Sequence, residues 1–129
     1  MSARRGQRIE LANGAVVVDD CYNANPMSMR AALDELARAP GRKVAVLGDM
    51  LELGSDEGRF HAEVGAYARG RADVLVTVGP RAAAMQGDHA VADATEAAAL
   101  VEQLVLPGDT VLVKASRGVG LEAVAEALV

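Results

Sequence analysis

Aromatic side chains are nearly missing from this chain: one Phe, two Tyr and no Trp, 2% of its 129 residues. Its hydrophobic share of 51% must therefore build a core from Val, Leu, Ala and Met. The length suits a single domain, residues 1–129, that buries about two-thirds of its unfolded surface. One cysteine, Cys21, excludes an intramolecular disulfide and fits a reducing compartment. Basic clusters are absent beyond Arg4-Arg5-Gly6-Gln7-Arg8, and the net charge is −5; neither suits a nucleic-acid or membrane-surface protein. There is no signal-peptide pattern at the start and no apolar run of bilayer length, so a cytoplasmic protein is expected. Two His and one Cys, far apart, do not form a metal cluster. No Gly-Lys-Ser/Thr follows a Gly-rich turn, so the chain cannot by itself cradle a nucleoside triphosphate in the usual way. Neither a Gly-x-Ser-x-Gly elbow nor a Cys/His pair is present.

What is there is a regular alternation of elements. Residues 1–7 lack apolar period and read as a frayed lead-in. Ile9 and Leu11 alternate with polar neighbours, Asn13-Gly14 signals a hairpin turn, and Ala15–Val18 returns as a strand. Helical stripes follow at Met29, Leu33, Leu36 and Ala37; at Phe60, Val64, Tyr67 and Ala68; at Ala97, Leu100, Val101 and Leu104; and at Leu121, Val124, Ala125 and Leu128. Between them lie short apolar strands at 44–47, 74–78 and 110–113, with a weak one at 90–92 and a short helix at 81–86. Strands without internal alternation are buried on both faces, and helical connections permit parallel crossovers. The predicted fold is α/β: a Rossmann-like, doubly wound, mostly parallel sheet with an N-terminal antiparallel hairpin strand.

Polar residues gather where such a sheet binds ligands, at the carboxyl ends of its strands. Asp19-Asp20-Cys21-Tyr22-Asn23-Ala24-Asn25-Pro26 closes the first long strand. Helix capping accounts for one Asn and the Pro, and leaves two Asp, a Tyr and a second Asn in the same turn to be explained by a ligand. Gly48-Asp49, Thr77 with Gly79, and Lys114 with Ser116-Arg117 close the others. Lys114 can be a solvated cap or, beside Ser116 and Arg117, part of an anion site. Asp49 opens Asp49-Met50-Leu51-Glu52-Leu53-Gly54, which either meets ligand or covers the sheet end. His61 reads as a helical residue bonding this loop.

Taken in order, Asp19–Met29, Val46–Gly54, His61 and Val113–Arg117 resemble the carboxy-terminal domain of the Mur ligase family, in the branch that adds D-alanyl-D-alanine to UDP-MurNAc-tripeptide. The likeness runs from about Arg8 to the end. It implies a third, lid domain, inactive alone, whose N-terminal and central ATPase domains are not among these residues. It further implies ATP with Mg²⁺, held mainly by that central domain, an acyl-phosphate intermediate, and a monomer without nucleic-acid partners or membrane insertion. Carried over by motif, Arg8, Asp20, Tyr22, Asn23, Asn25 and Pro26 belong to the nucleotide side. Asp49, Lys114, Ser116 and Arg117 belong to the D-alanyl-D-alanine side. No residue is assigned as catalytic in this domain alone. Ala115 stands where Gly is more usual, so a narrowed loop is expected.

Two other readings stay open on the residues. Asp19-Asp20, Asp49, Thr77 and Lys114 follow the order of a phosphoacceptor receiver domain, although receivers lack the preceding hairpin and place Pro after their Lys. A stand-alone nucleotide-binding regulatory module is the third.

Overall fold

The computed structural model describes residues 6–129, and its chain begins with a hairpin. Strand β1 (Gln7–Glu10) runs antiparallel to β2 (Val16–Asp20), with Arg8 opposite Val18. Gln7 thus belongs to a strand rather than to the expected lead-in; residues 1–5 of that lead-in lie outside the described residues. Beyond the hairpin every pairing is parallel. Strands β3 (Lys43–Gly48), β4 (Val74–Val78), β5 (His89–Val91) and β6 (Thr110–Lys114) complete a six-stranded sheet in the order β1-β2-β6-β3-β4-β5. The expected fold class is the one observed.

Helix α1 (Pro26–Ala37) starts with Pro26 behind Asn25, whose side chain accepts from the Ser28 N–H at 2.8 Å. Ser28 Oγ in turn accepts from the Asn25 N–H at 3.0 Å, a reciprocal capping box. Helices α2 (Glu57–Arg69), α3 (Ala94–Leu104) and α4 (Glu122–Leu128) follow. The region 81–86 forms only a 3₁₀ turn at Ala82–Met85.

The strand pleat sends alternate residues to opposite faces, and two cores result. On one face Val44, Val46, Val76, Val78, Val111 and Val113 meet Ala97 and Val101 from α3, Val124 from α4 and Leu121 just before it. On the other, Ala45, Leu47, Leu75 and Leu112 meet Met29, Leu33, Leu36 and Val64 from α1 and α2. In the α2 stripe Val64 and Ala68 are buried as expected, but at its first turn His61 is fully buried whereas Phe60 stays half-exposed.

This winding sets up the site. The chain leaves β2 into α1 on one face and leaves the neighbouring β6 toward α4 on the other. Their carboxyl ends therefore flank a crevice between diverging connections, the place where open α/β sheets bind ligands. Asp20 and Lys114 are register partners at that point.

Candidate functional site

The pleat separates the two adjacent carboxylates of β2. Asp19 is fully buried, beside the buried Cys21, whose thiol donates to the Val113 carbonyl at 3.4 Å on the α3/α4 face. Burial, and after it the Asp19 carboxylate, push the Cys21 thiol far above its ordinary value. Asp20 faces the other way. It lines two contiguous cavities, about 440 and 270 Å³, which also share Ala32 and Glu35 along α1.

The larger cavity reaches Asn23, Asn25 and Lys114, and the smaller reaches Arg8 with the apolar Val18, Leu36 and Leu112. The structure thus brings Arg8, Asp20, Asn23 and Asn25 onto one groove. Pro26, which initiates α1, and Tyr22, half-buried with its ring 5.6 Å from the Arg117 guanidinium, line neither cavity. Glu35 and Ser28 escaped the sequence reading. They are found by period, since Ser28, Ala31, Ala32 and Glu35 lie at i, i+3, i+4 and i+7 beside the apolar stripe.

Lys114 does not lie apart from this groove. Its side chain is 4% exposed, and Nζ donates to Asp20 Oδ2 at 3.0 Å and to the Asn23 carbonyl at 2.9 Å. The resemblance puts Lys114 and Asp20 on different ligand sides, yet their side chains are in direct contact. Side by side in register, the two opposite charges close on each other.

Ser116 is buried and works as a staple. Its Oγ accepts from the Leu51 N–H at 2.8 Å and donates to the Ala24 carbonyl at 3.4 Å, and its N–H donates to the Asp49 carbonyl at 3.1 Å. Arg117 is exposed. The intervening Ala115 points into the α3/α4 core, where a Cβ on Gly48 would lie 2.7 Å from its methyl. The expected narrowing of the loop therefore does not occur on the groove side.

Asp49 turns toward β4. Its Oδ1 accepts the Ala82 N–H at 2.7 Å, and Oδ2 pairs with Arg81 at 3.4 Å; Arg81 also pairs with Glu57 at 3.2 Å. The rest of its loop is anchored by Met50, fully buried, whose N–H donates to His61 Nε2 at 2.9 Å. With Nε2 accepting, Nδ1 carries the proton and donates to the Glu57 carbonyl at 2.7 Å. His61 is the loop's internal strut, as its sequence context suggested. With Asp49 engaged toward β4 and Asp20 locked to Lys114 on the β2 side, the receiver arrangement is not assembled.

The open α/β sheet belongs to the doubly wound class, in which ligands bind at the winding reversal where this charged groove lies. Comparison with known families narrows this. The model described as Mur ligase, glutamate ligase domain, matches residues 4–117, and the chain belongs to that family. It is 42% identical to the UDP-N-acetylmuramoyl-tripeptide–D-alanyl-D-alanine ligase of Mycobacterium leprae, over all of this chain and 30% of that protein. To the Escherichia coli ligase of the same name it is 38% identical, over 93% of this chain and 28% of that one. The chain thus spans about a third of the length of the curated relatives it matches. Among solved structures, the MurF ligase of Thermotoga maritima in complex with ADP superposes with a TM-score of 0.87 at 33% identity, over 99% of this chain and 31% of that one. A bifunctional folylpolyglutamate synthase/dihydrofolate synthase shares the fold, with a TM-score of 0.71 at 20% identity.

Proposed function

We propose that this chain is the lid domain of an ATP-dependent ligase that joins D-alanyl-D-alanine to UDP-MurNAc-tripeptide in cell-wall precursor synthesis in the cytoplasm. The observation that carries the reading is the single groove lined by Arg8, Asp20, Asn23 and Asn25 at the winding reversal. It sits in a chain that matches ligases of that name along its whole length. Asp20 takes a ribose hydroxyl, Arg8 the polyanionic end of the nucleotide, and the Tyr22–Pro26 turn closes against it.

In the chemistry this reading implies, the terminal carboxylate of the UDP-MurNAc-tripeptide accepts the γ-phosphoryl group and ADP leaves. The amine of D-alanyl-D-alanine then attacks the carbonyl carbon, phosphate departs, and the amine gives up a proton. The domain's share is to orient the reactants and exclude water from the acyl phosphate. Arg117, exposed beside Tyr22, is the residue we assign to the dipeptide carboxylate. Ser116 and Asp49 serve the same side indirectly, by holding the loops that shape it.

Mg²⁺ neutralises phosphate charge in such reactions. On this reading it is held mainly by the central ATPase domain, as the resemblance implies. Full-length protein containing this chain is expected to release phosphate from ATP only when both UDP-MurNAc-tripeptide and D-alanyl-D-alanine are present. Release that ignores the dipeptide would sink the reading. So would stoichiometric labelling of Asp49 by acetyl phosphate, which a receiver domain would show.

A further inference from the structure

Lys114 is enclosed rather than displayed. Both of its hydrogen bonds, to the Asp20 carboxylate and the Asn23 carbonyl, run to the turn that follows β2. Burying an ammonium is costly unless it is paired, and a lysine serving only to balance Asp20 could do so from the surface. The bond to the Asn23 backbone is the telling one, because it fixes main chain as well as charge. Two residues further on, Ser116 reaches the Ala24 carbonyl of the same turn. The turn is thus pinned to the end of β6 at two points, Lys114 and Ser116. With one carboxylate oxygen held by Nζ, the rotation of the Asp20 side chain is set while it lines both cavities.

Resting on the reading that this groove takes ATP, we propose that Lys114 is a positioning residue for the nucleotide and not a ligand of the dipeptide. It acts through Asp20, which it aims at the ribose hydroxyl, and through the Asn23 backbone, which it locks. The family resemblance alone had put Lys114 on the dipeptide side.

The test uses full-length protein containing this chain. Absence of ligase turnover in the unaltered protein removes the underlying reading and this proposal with it. With turnover in hand, Lys114→Met is expected to raise the KM for ATP about tenfold. The KM for D-alanyl-D-alanine should stay within about twofold, since no contact to that substrate is lost. Lys114→Met should also abolish the preference for ATP over 2′-deoxy-ATP, a readout that loosened structure alone would not move. Asp20→Asn, which keeps the shape of the more accessible partner, should lose the same preference, and in the double variant Lys114→Met should add only the smaller share carried by the Asn23 carbonyl, so that the two effects combine to less than their product. A dipeptide-selective rise in KM overturns the proposal. So does an intact preference for the ribose hydroxyl in either variant, its absence from the unaltered enzyme, or full multiplication of effects in the double variant. If Lys114→Met fails to fold, the Asp20→Asn preference decides the question.

Discussion

The carboxylate of Asp49 fills the space that a side chain on Gly79 would occupy: a Cβ built there would lie 2.6 Å from Asp49 Oδ1. Gly79 also has φ +110, a conformation that side chains rarely adopt. Gly79→Ala therefore meets two obstacles at once, backbone strain and a displaced carboxylate that caps the Ala82 amide. A loss of more than about 2 kcal/mol is expected. Urea unfolding of the two chains measures it, and a difference below about 0.5 kcal/mol would show that Asp49 moves aside freely.

At the opposite, amino end of the central strands, Asp109 is 2% exposed and takes Arg42 at 2.8 Å, while the Leu106 N–H donates to it at 2.8 Å. Burial alone would raise its pKa. The Arg42 hydrogen bonds, the Leu106 amide and the Arg42 charge together hold it below the ordinary value. A depressed carboxylate stabilises the fold fully above the unfolded value of about 3.9, and that contribution fades as pH falls through the lower folded value. Unfolding midpoints between about pH 2 and 6 should fall on the acid side, and Asp109→Asn should be less stable at neutral pH with a shallower acid limb. An acid limb unchanged by Asp109→Asn would contradict this assignment.

Cys21 is expected to resist thiol reagents in the native protein, because it is buried and its thiolate is strongly disfavoured. Labelling with a chromogenic disulfide at about pH 8 should proceed only in denaturant. Rapid stoichiometric labelling of the folded chain would mean that the α3/α4 face opens readily.

For Arg117, the proposed role predicts a split in the kinetics of the full-length protein. Arg117→Ala should raise the KM for D-alanyl-D-alanine about ten- to a hundredfold, the range of one lost charge-assisted contact, and the KM for ATP much less. Its exposure predicts a change in melting temperature of under about 2 °C. An ATP-selective defect would instead assign Arg117, with Tyr22, to the nucleotide.

Much of the architecture was legible because strand and helix periods are local properties. The hairpin at Asn13-Gly14, the capped start at Asn25-Pro26 and the continuously apolar β3, β4 and β6 all declare themselves within a few residues. Asp20, Asn23 and Asn25 of the groove were legible for the same reason, since they close β2 or follow it. What escaped was pairing between distant segments. Nothing in the spacing of Asp20 and Lys114 reveals that register makes them neighbours, 94 residues apart in the chain. Asp49 looked like a ligand-facing acid, and only the fold shows Ala82, Arg81 and Gly79 converging on it. Asp19 and Asp20 looked like one acidic site, which the pleat divides between two faces.

That division continues at the end of β6, where Lys114 and Ser116 bond the turn after β2 while Ala115 packs behind the sheet. Holding the turn and packing the core are thereby carried by alternate letters of one short word. Relatives could trade Gly for Ala at position 115, adjusting α4 against Gly48, without rewriting what the groove reads. Changes at positions 114 and 116, by contrast, would alter the reading itself.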